Sequence, residues 1–282
     1  MSHGPMVVLS YGQTIRPYDY KTIGQTMQAN ILRTPGFLYG YGLFETMLAK
    51  KGRVLFLEEH LERLFKSAKK IALPIKQTPS QFTKAIYQEI KPIKSRLTYI
   101  RLNAWAGQKG SEFDIITKKY TPPSLQEYSQ GWKITLAQNQ INENSQLAQI
   151  KSLNYLGNYL TRIEAQKKGF NEALFLNTKG FIAEGTRSNI FLVKNGTLLT
   201  PSLNCGVLNG IIRQQIIKIA KQNKIPLKET CLKIKDLQSA QEIFLTNSLI
   251  GIMPVREAGN FKLKKFRPLT QKISGFYKGM TS

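Results

Sequence analysis

The sequence predicts an α+β protein of two domains. Three observations predict it. Short apolar runs separated by glycine, asparagine or proline turns recur along the chain, stretches of helical period interrupt them, and residues 118–131 carry two prolines, several polar residues and little periodicity. At 282 residues the chain can bury one large or two medium cores, and its 41% hydrophobic and 21% charged residues mark a folded chain, not a disordered one. The expected division is a domain over residues 1–120, a linker over 121–131 and a second domain over 132–282.

In the first half, Val7-Val8-Leu9, Phe37-Leu38-Tyr39 and Val54-Leu55-Phe56-Leu57 have strand composition, the last following the Lys51-Gly52 turn. Over residues 57–73 the apolar positions Leu61, Leu64, Phe65, Ala68, Ile71 and Ala72 recur at helical spacing until Pro74 stops the run. A second helix is expected over residues 79–90 and a strand over 96–105. The second half opens with a strand over residues 132–136. A helix over 153–168 follows, with Gly169 as its C-terminal cap. Two hairpins are expected next: residues 172–176 with 181–183 around Asn177-Thr178-Lys179-Gly180, and 189–193 with 197–200 around Asn195-Gly196. A glycine-bounded loop, 206–210, leads into a helix over 211–223, and Ile243-Phe244-Leu245 forms a further strand. So many short strands in one half suggest a closed or nearly closed sheet.

Composition narrows the chemistry. Cys205 and Cys231 are the only cysteines, so no disulfide framework is implied and a reducing cytoplasm is expected. His3 and His60 are the only histidines, which leaves little for a zinc cluster or a histidine-based triad, and no metal is expected. No apolar run approaches membrane-spanning length and the start has no charged-then-apolar signal pattern, so neither a membrane nor export is expected. The net charge of +24 is spread over both halves in short clusters, such as Lys50-Lys51 and Lys264-Lys265, with no zinc finger, basic zipper or RNP-like aromatic motif. It reads as a basic surface that favours anionic small molecules over nucleic acid.

Catalysis therefore falls to lysine, carboxylates or a cofactor. Lys151 stands alone among apolar and amide side chains in Lys151-Ser152-Leu153-Asn154-Tyr155-Leu156, and Glu184 follows in a strand-like segment after a turn. An amine kept uncharged, with a carboxylate placed to hold a cation, is what an aldehyde cofactor requires; an exposed helix lysine is the plain alternative. Asn209-Gly210-Ile211-Ile212-Arg213 sets unsatisfied amides at a helix start, a ready anion site, although most such loops are ordinary helix starts. Arg63 could grip a phosphate bidentately or pair with Glu59 four residues earlier. Thr246-Asn247-Ser248 sets hydroxyl and amide donors at a strand end, or makes a simple turn. No Gly-x-Gly-x-x-Gly occurs, so a dinucleotide fold is unsupported.

Taken in order, these pieces resemble the class-IV aminotransferases, the fold-type-IV pyridoxal-phosphate enzymes, a group that includes branched-chain and D-amino-acid aminotransferases and 4-amino-4-deoxychorismate lyases. The resemblance runs from Tyr39-Gly40-Tyr41-Gly42-Leu43-Phe44-Glu45 through the helix of Arg63, Lys151-Ser152-Leu153-Asn154, residues 184–191 and 206–213, to Thr246 and Val255. It implies a smaller N-terminal α/β sandwich and a C-terminal pseudo-barrel domain that binds pyridoxal 5'-phosphate, in a homodimer whose sites a loop of the second subunit completes. Lys151 matches the Schiff-base lysine and proton shuttle, and Glu184 the partner of the pyridinium nitrogen. Arg63, Ile211, Ile212 and Ser248 match phosphate-binding positions, with Asn247 beside them. Ser188 and Asn189 fall in the segment lining the ring, and Tyr39, Tyr99 and Arg101 match substrate-side positions of branched-chain enzymes.

Two departures point to the lyases. Branched-chain enzymes usually show a threonine where this chain has Ile212, and a Gly-Thr-Ala type turn where it has Asn247-Ser248-Leu249. The set Gly206-Val207-Leu208-Asn209-Gly210-Ile211-Ile212-Arg213-Gln214, Thr246-Asn247-Ser248 and Met253-Pro254-Val255 looks more like the lyases. Against this, the lyases often carry an arginine- and glycine-rich segment where this chain reads Asn103-Ala104-Trp105-Ala106-Gly107-Gln108-Lys109-Gly110, and Tyr99-Ile100-Arg101 resembles the aminotransferases. The expected activity is the lyase reaction, releasing pyruvate and forming 4-aminobenzoate for folate biosynthesis, with a branched-chain or D-amino-acid aminotransferase as the alternative.

Overall fold

The structure is a computed structural model that describes residues 31–265 and 267–282. The strand expected at Val7-Val8-Leu9, and His3, lie outside the described residues. The first sheet has the order β2-β1-β3-β4 and is antiparallel throughout: β1 (Gly42–Lys50), β2 (Arg53–Val54), β3 (Leu97–Gly107) and β4 (Gly110–Lys119). Helices α2 (Leu57–Lys70) and α3 (Pro79–Ile90) cover one of its faces. Alternation decides which side chains go where. Leu43, Met47 and Ala49 of β1 and Ile100, Leu102 and Ala104 of β3 pack against Leu61, Leu64, Phe82 and Ile86. Phe44 and Thr46, and Tyr99 and Arg101, belong to the opposite set and line a cavity. α3 starts where the sequence places it, because Thr78 and Gln81 form a reciprocal capping box ahead of Pro79 at the first helical position.

The second sheet follows the path β10-β9-β8-β11-β12-β5-β6-β7, with β13 (Phe261–Lys262) on β12. Its strands are β5 (Trp132–Ile141), β6 (Glu172–Asn177), β7 (Ile182–Gly185), β8 (Asn189–Lys194), β9 (Thr197–Pro201), β10 (Leu227–Thr230), β11 (Glu242–Asn247) and β12 (Gly251–Ala258). A bridge from Ile182 on β7 to Leu232, just past β10, brings its ends together, so the sheet curls into the nearly closed form expected. Apolar side chains of β8, β11 and β12 fill its inside, while α6 (Ile211–Gln222) and α7 (Pro268–Met280) pack outside on Phe191 and Phe244, whose rings stack at 5.0 Å. The β8–β9 hairpin turns at Asn195-Gly196 with φ of 50° and 71°, the geometry that pair favours. Cys205 and Cys231 are free thiols.

Four expectations are corrected. Phe37-Leu38-Tyr39 is not a strand: it ends the short helix α1 (Pro35–Tyr39), because Thr34 caps the amide of Phe37, Pro35 takes the first helical position and Gly40 closes the helix at φ 62°. Leu55, Phe56 and Leu57 do not extend β2, since a turn follows Val54 and α2 begins at Leu57. Residues 118–131 are not a bare connection: they hold the end of β4 and a helix, α4 (Leu125–Gln130), started by the Ser124–Glu127 capping box. The helix expected from residue 153 begins later, as α5 (Leu156–Lys167).

Phe82 is fully buried and meets Phe113 edge-on at 5.1 Å and Phe65 at 5.9 Å. Phe82→Ala should cost about 3–5 kcal/mol in urea-induced unfolding. A loss below about 1 kcal/mol would show that this core does not hold the first sheet to its helices.

Candidate active site

A cavity of about 680 Å³ lies between the two sheets. Lys151 enters it from a segment pinned to the first sheet: the Phe44 amide donates to the Lys151 carbonyl at 2.9 Å, and the Leu153 amide donates to the Gly42 carbonyl at 2.9 Å. The ammonium position is buried, 4.2 Å from the centroid of the Phe44 ring and 5.9 Å from that of Tyr155. Burial first, then the charges of Arg63 and Arg101, push the Lys151 amine down to about 8 against the pull of Glu45 and Glu184. At pH 7 about a tenth of this lysine is then the free amine, against well under a thousandth at the ordinary value of 10.5.

Glu184, at the end of β7, accepts from the Asn189 amide group at 2.9 Å and from the Leu208 backbone at 3.0 Å. Burial outweighs these bonds and the nearby cations and pushes the carboxyl up to about 8. A buried carboxyl in this state is completed by a cationic ring nitrogen, which would draw it back to the ionised form. Asn189 also donates to the Leu208 carbonyl at 2.9 Å, so one side chain fixes both Glu184 and the loop before α6.

The other end of the cavity is built for an anion. α6 starts at Ile211 behind Gly210, whose backbone cap has no side-chain partner, leaving the Ile211 and Ile212 amides in the first turn. A Cβ on Gly210 would lie 2.0 Å from the Asn189 side-chain oxygen, so the approach admits glycine alone. The Thr246 hydroxyl lines the cavity and, among the described residues, is buried without a hydrogen-bond partner. Arg63 does not pair with Glu59. Its Nε and Nη2 donate to the two oxygens of Glu45 at 2.8 and 2.6 Å, and its Nη1 reaches the Asn209 carbonyl at 3.3 Å. Glu45 is buried, which would raise it, but the Arg63 charge and hydrogen bonds from His60 and Arg63 win and hold it at about 2. His60 is wholly buried beside it, and burial lowers the imidazole so that it stays neutral. Its Nδ1 then donates to Glu45 at 2.6 Å, and its Nε2 accepts from Ser248 at 3.2 Å.

Eleven of the residues singled out from the sequence line this cavity: Arg63, Tyr99, Arg101, Lys151, Glu184, Ser188, Asn189, Ile211, Ile212, Asn247 and Ser248. Tyr39 does not. It ends α1 with 73% of its surface exposed. Two side chains are committed elsewhere. Asn247 accepts from the Leu249 and Ile250 amides, both at 2.9 Å, and so shapes the β11–β12 turn; Ser188 donates to buried Glu172 at 3.0 Å. Glu45 and His60 were not singled out, and Thr246 was noted only as part of the Thr246-Asn247-Ser248 donor set. Glu45 could have been found by alternation along β1, which sends it to the α2 face, where His60 and Arg63 stand three residues apart.

Pyridoxal 5'-phosphate, which the resemblance implies, fits these residues. The α6 amides, the partnerless Thr246 hydroxyl and Arg63 suit its phosphate, the neutral Lys151 amine its aldehyde, and Glu184 its ring nitrogen.

Two sheets enclosing a buried lysine, with an anion cradle at one end, define the class. The sequence profile of the class-IV amino-transferases matches residues 42–258, and the chain belongs to that family. It is 34% identical over 253 residues to a Methanocaldococcus jannaschii protein provisionally named a branched-chain-amino-acid aminotransferase, covering 86% of this chain and 88% of that protein. It is 31% identical over 231 residues to the aminodeoxychorismate lyase of Bacillus subtilis, covering 78% of each. Among solved structures, a Legionella pneumophila protein provisionally named 4-amino-4-deoxychorismate lyase superposes with a TM-score of 0.82 at 27% identity, over 88% of this chain and 93% of that one.

The Lys151 amine sets a pH dependence. Only the deprotonated amine attacks an aldehyde, so capture of pyridoxal phosphate by cofactor-free protein should rise with pH to a half-maximum near 8, the position burial and Arg63 impose. A half-maximum near 10.5, the ordinary lysine value, would contradict it. Glu184 acts in the opposite sense. With its folded value about 8 against 4.5 unfolded, the folded cofactor-free protein holds the extra proton, so its stability should fall as pH rises from about 4.5 to 8. Glu184→Gln should flatten that slope in thermal melts.

Proposed function

We propose that the chain is a pyridoxal-phosphate-dependent 4-amino-4-deoxychorismate lyase, releasing pyruvate and forming 4-aminobenzoate, a step of folate biosynthesis. The observation that carries the reading is the charge of the cavity wall. Beyond Arg63 and Lys151, it holds Arg101, Lys118, Arg162 and Arg187, and Glu184 is the only carboxylate among the described lining residues. That balance suits a cyclic substrate with two carboxylates better than an aliphatic amino acid with one. The B. subtilis lyase and the Legionella structure support the same reading.

When bound, the cofactor supplies an electron sink for carbanion chemistry. The chain's own residues do the rest. Arg63, the Ile211 and Ile212 amides and Thr246 would hold the cofactor's phosphate end, and Glu184 would pair with its ring nitrogen. The Lys151 amine takes the substrate proton next to the nitrogen, and the enolpyruvyl group leaves to become pyruvate as the ring turns aromatic. Phe44 and Tyr155, edge to face at 5.3 Å, stand against the lysine and fix its approach.

A transaminase is the second reading, favoured by Tyr99 and Arg101 on the cavity face of β3 and by the M. jannaschii relative. It would use the same lysine to take the proton from the amino-acid carbon. In either case the protein acts as a homodimer. Phe37, Leu38 and Tyr39 on α1 and Leu156, Tyr159 and Leu160 on α5 are all exposed, and the Asn154 amide group bonded to the Gly40 carbonyl at 3.0 Å brings the two helices together. Such an apolar surface suits a second copy.

Purified holoenzyme given aminodeoxychorismate should release pyruvate, and its yellow absorption should be unmoved by leucine, glutamate or D-alanine. Lys151→Arg should lower pyruvate release about 10²–10⁴-fold. Bleaching by a single amino acid, with a keto acid as product, would replace the lyase with the transaminase.

A further inference from the structure

Arg162 on α5 and Arg187 in the turn between β7 and β8 line the cavity together, yet neither has a role at the cofactor end. Among the described residues, the Nε of each is buried without a hydrogen-bond partner. One carboxylate is near. Glu172 lies 3.9 Å from the Arg187 Nε, outside hydrogen-bond range. Its oxygens already accept from the Ala173 amide at 3.0 Å, the Thr186 amide at 3.1 Å, the Thr186 hydroxyl and the Ser188 hydroxyl at 3.0 Å. Two guanidiniums thus stand near one carboxylate that already accepts four hydrogen bonds, three of them on Oε1, and a positive charge is left over beside the cavity. Burial, then the like charge of Arg187, depresses the half-buried Arg162 below the usual arginine range.

This proximity is built, not incidental. The Tyr155 hydroxyl and the Asn158 amide group both donate to the carbonyl of Thr186, next to Arg187 in the chain, the latter at 3.0 Å. The Arg187 guanidinium stands 5.4 Å from the Trp132 ring centroid. Arg101 lies at the other end of the same aromatic pair. Its guanidinium carbon is 3.8 Å over Phe44, and Phe44 meets Tyr155 edge-on. Lys151 projects at these two rings between the cationic stations.

We propose that Arg162 and Arg187 form a carboxylate-binding station that, together with Arg101 across the Phe44–Tyr155 pair, selects dicarboxylate substrates. The station takes the carboxylate that the Arg101 side does not hold. A planar carboxylate answers both orphaned Nε–H groups and removes the like-charge conflict. The proposal rests on the lyase reading for the identity of the substrate, and for nothing else: a transaminase acting on a dicarboxylic amino acid would use the same station.

The test is calorimetric titration of the holoenzyme with chorismate, a dicarboxylate carrying a hydroxyl where the substrate carries its amine, against 4-hydroxybenzoate, which has one carboxylate. Wild type should prefer chorismate by about tenfold or more, the scale of one charge-assisted pair. Arg162→Gln and Arg187→Gln should each collapse that preference to within about twofold while the bound-cofactor absorption stays intact. Arg187→Lys, which keeps the charge but not the planar fork, should restore part of it. An undiminished preference in both glutamine variants overturns the proposal, and so does loss of cofactor absorption in all three variants, which would make the pair structural. Pyruvate release by the same wild-type preparation separates the two readings. Preference without pyruvate defeats the lyase and leaves the station standing, whereas pyruvate with preference unchanged in the variants defeats the station alone.

Discussion

The ionised carboxylate of Glu45 is the constraint around which the site is arranged. It is buried where β1 faces α2, held by both arms of Arg63 and by His60. Desolvation on this scale is tolerated only because every oxygen is answered, and removing one partner of such a group costs about 3–5 kcal/mol. The consequence reaches across the molecule. With Nε and Nη2 tied to Glu45, Arg63 can turn only its remaining edge toward the second sheet, where it meets Asn209 beside the α6 start. His60 turns its other nitrogen to Ser248 on the far wall. A carboxylate that touches no ligand thereby sets the angle of an arginine at the anion cradle.

The lysine and the glutamate of the same cavity follow the opposite rule. Neither has a saturated set of charged partners, so burial wins: the amine falls and the carboxyl rises until both titrate near pH 8. Glu45 at about 2 and Glu184 at about 8 are thus two desolvated carboxyls set apart by their partners: two cationic or hydrogen-bonding side chains on the first, an amide side chain and a backbone N–H on the second. One is finished within the chain. The other waits for a cation, as a cofactor site requires.

Much of this was legible in the sequence, and the rest was hidden for definite reasons. Lys151, Glu184 and the Gly210–Ile212 helix start stand out because each is a local anomaly: a lone cation among apolar residues, a carboxylate after a turn, free amides behind a glycine. α3 was legible to the residue because its capping box is written in Thr78, Pro79 and Gln81. Phe37-Leu38-Tyr39 misled because three aromatic and aliphatic residues have strand composition, while the deciding signals lay outside the run, in Thr34, Pro35 and Gly40. Arg63 was expected from the sequence at the phosphate end of the site, but its partner was not, because Glu59 lies on the same helix and Glu45 is near only after β1 folds against α2. The Arg162–Arg187 pair depends on a helix and a turn brought together by the second sheet, and no spacing in the chain announces it.

The central claim is that this cavity, and no other lysine of a strongly basic chain, carries the cofactor. Reducing the holoenzyme with borohydride and mapping the peptides tests it most directly. The account predicts one phosphopyridoxyl group per chain, on the peptide bearing Lys151, and none at that site once Lys151 is replaced by alanine. Label spread over surface lysines, or one stoichiometric adduct on a lysine outside the cavity, would contradict it.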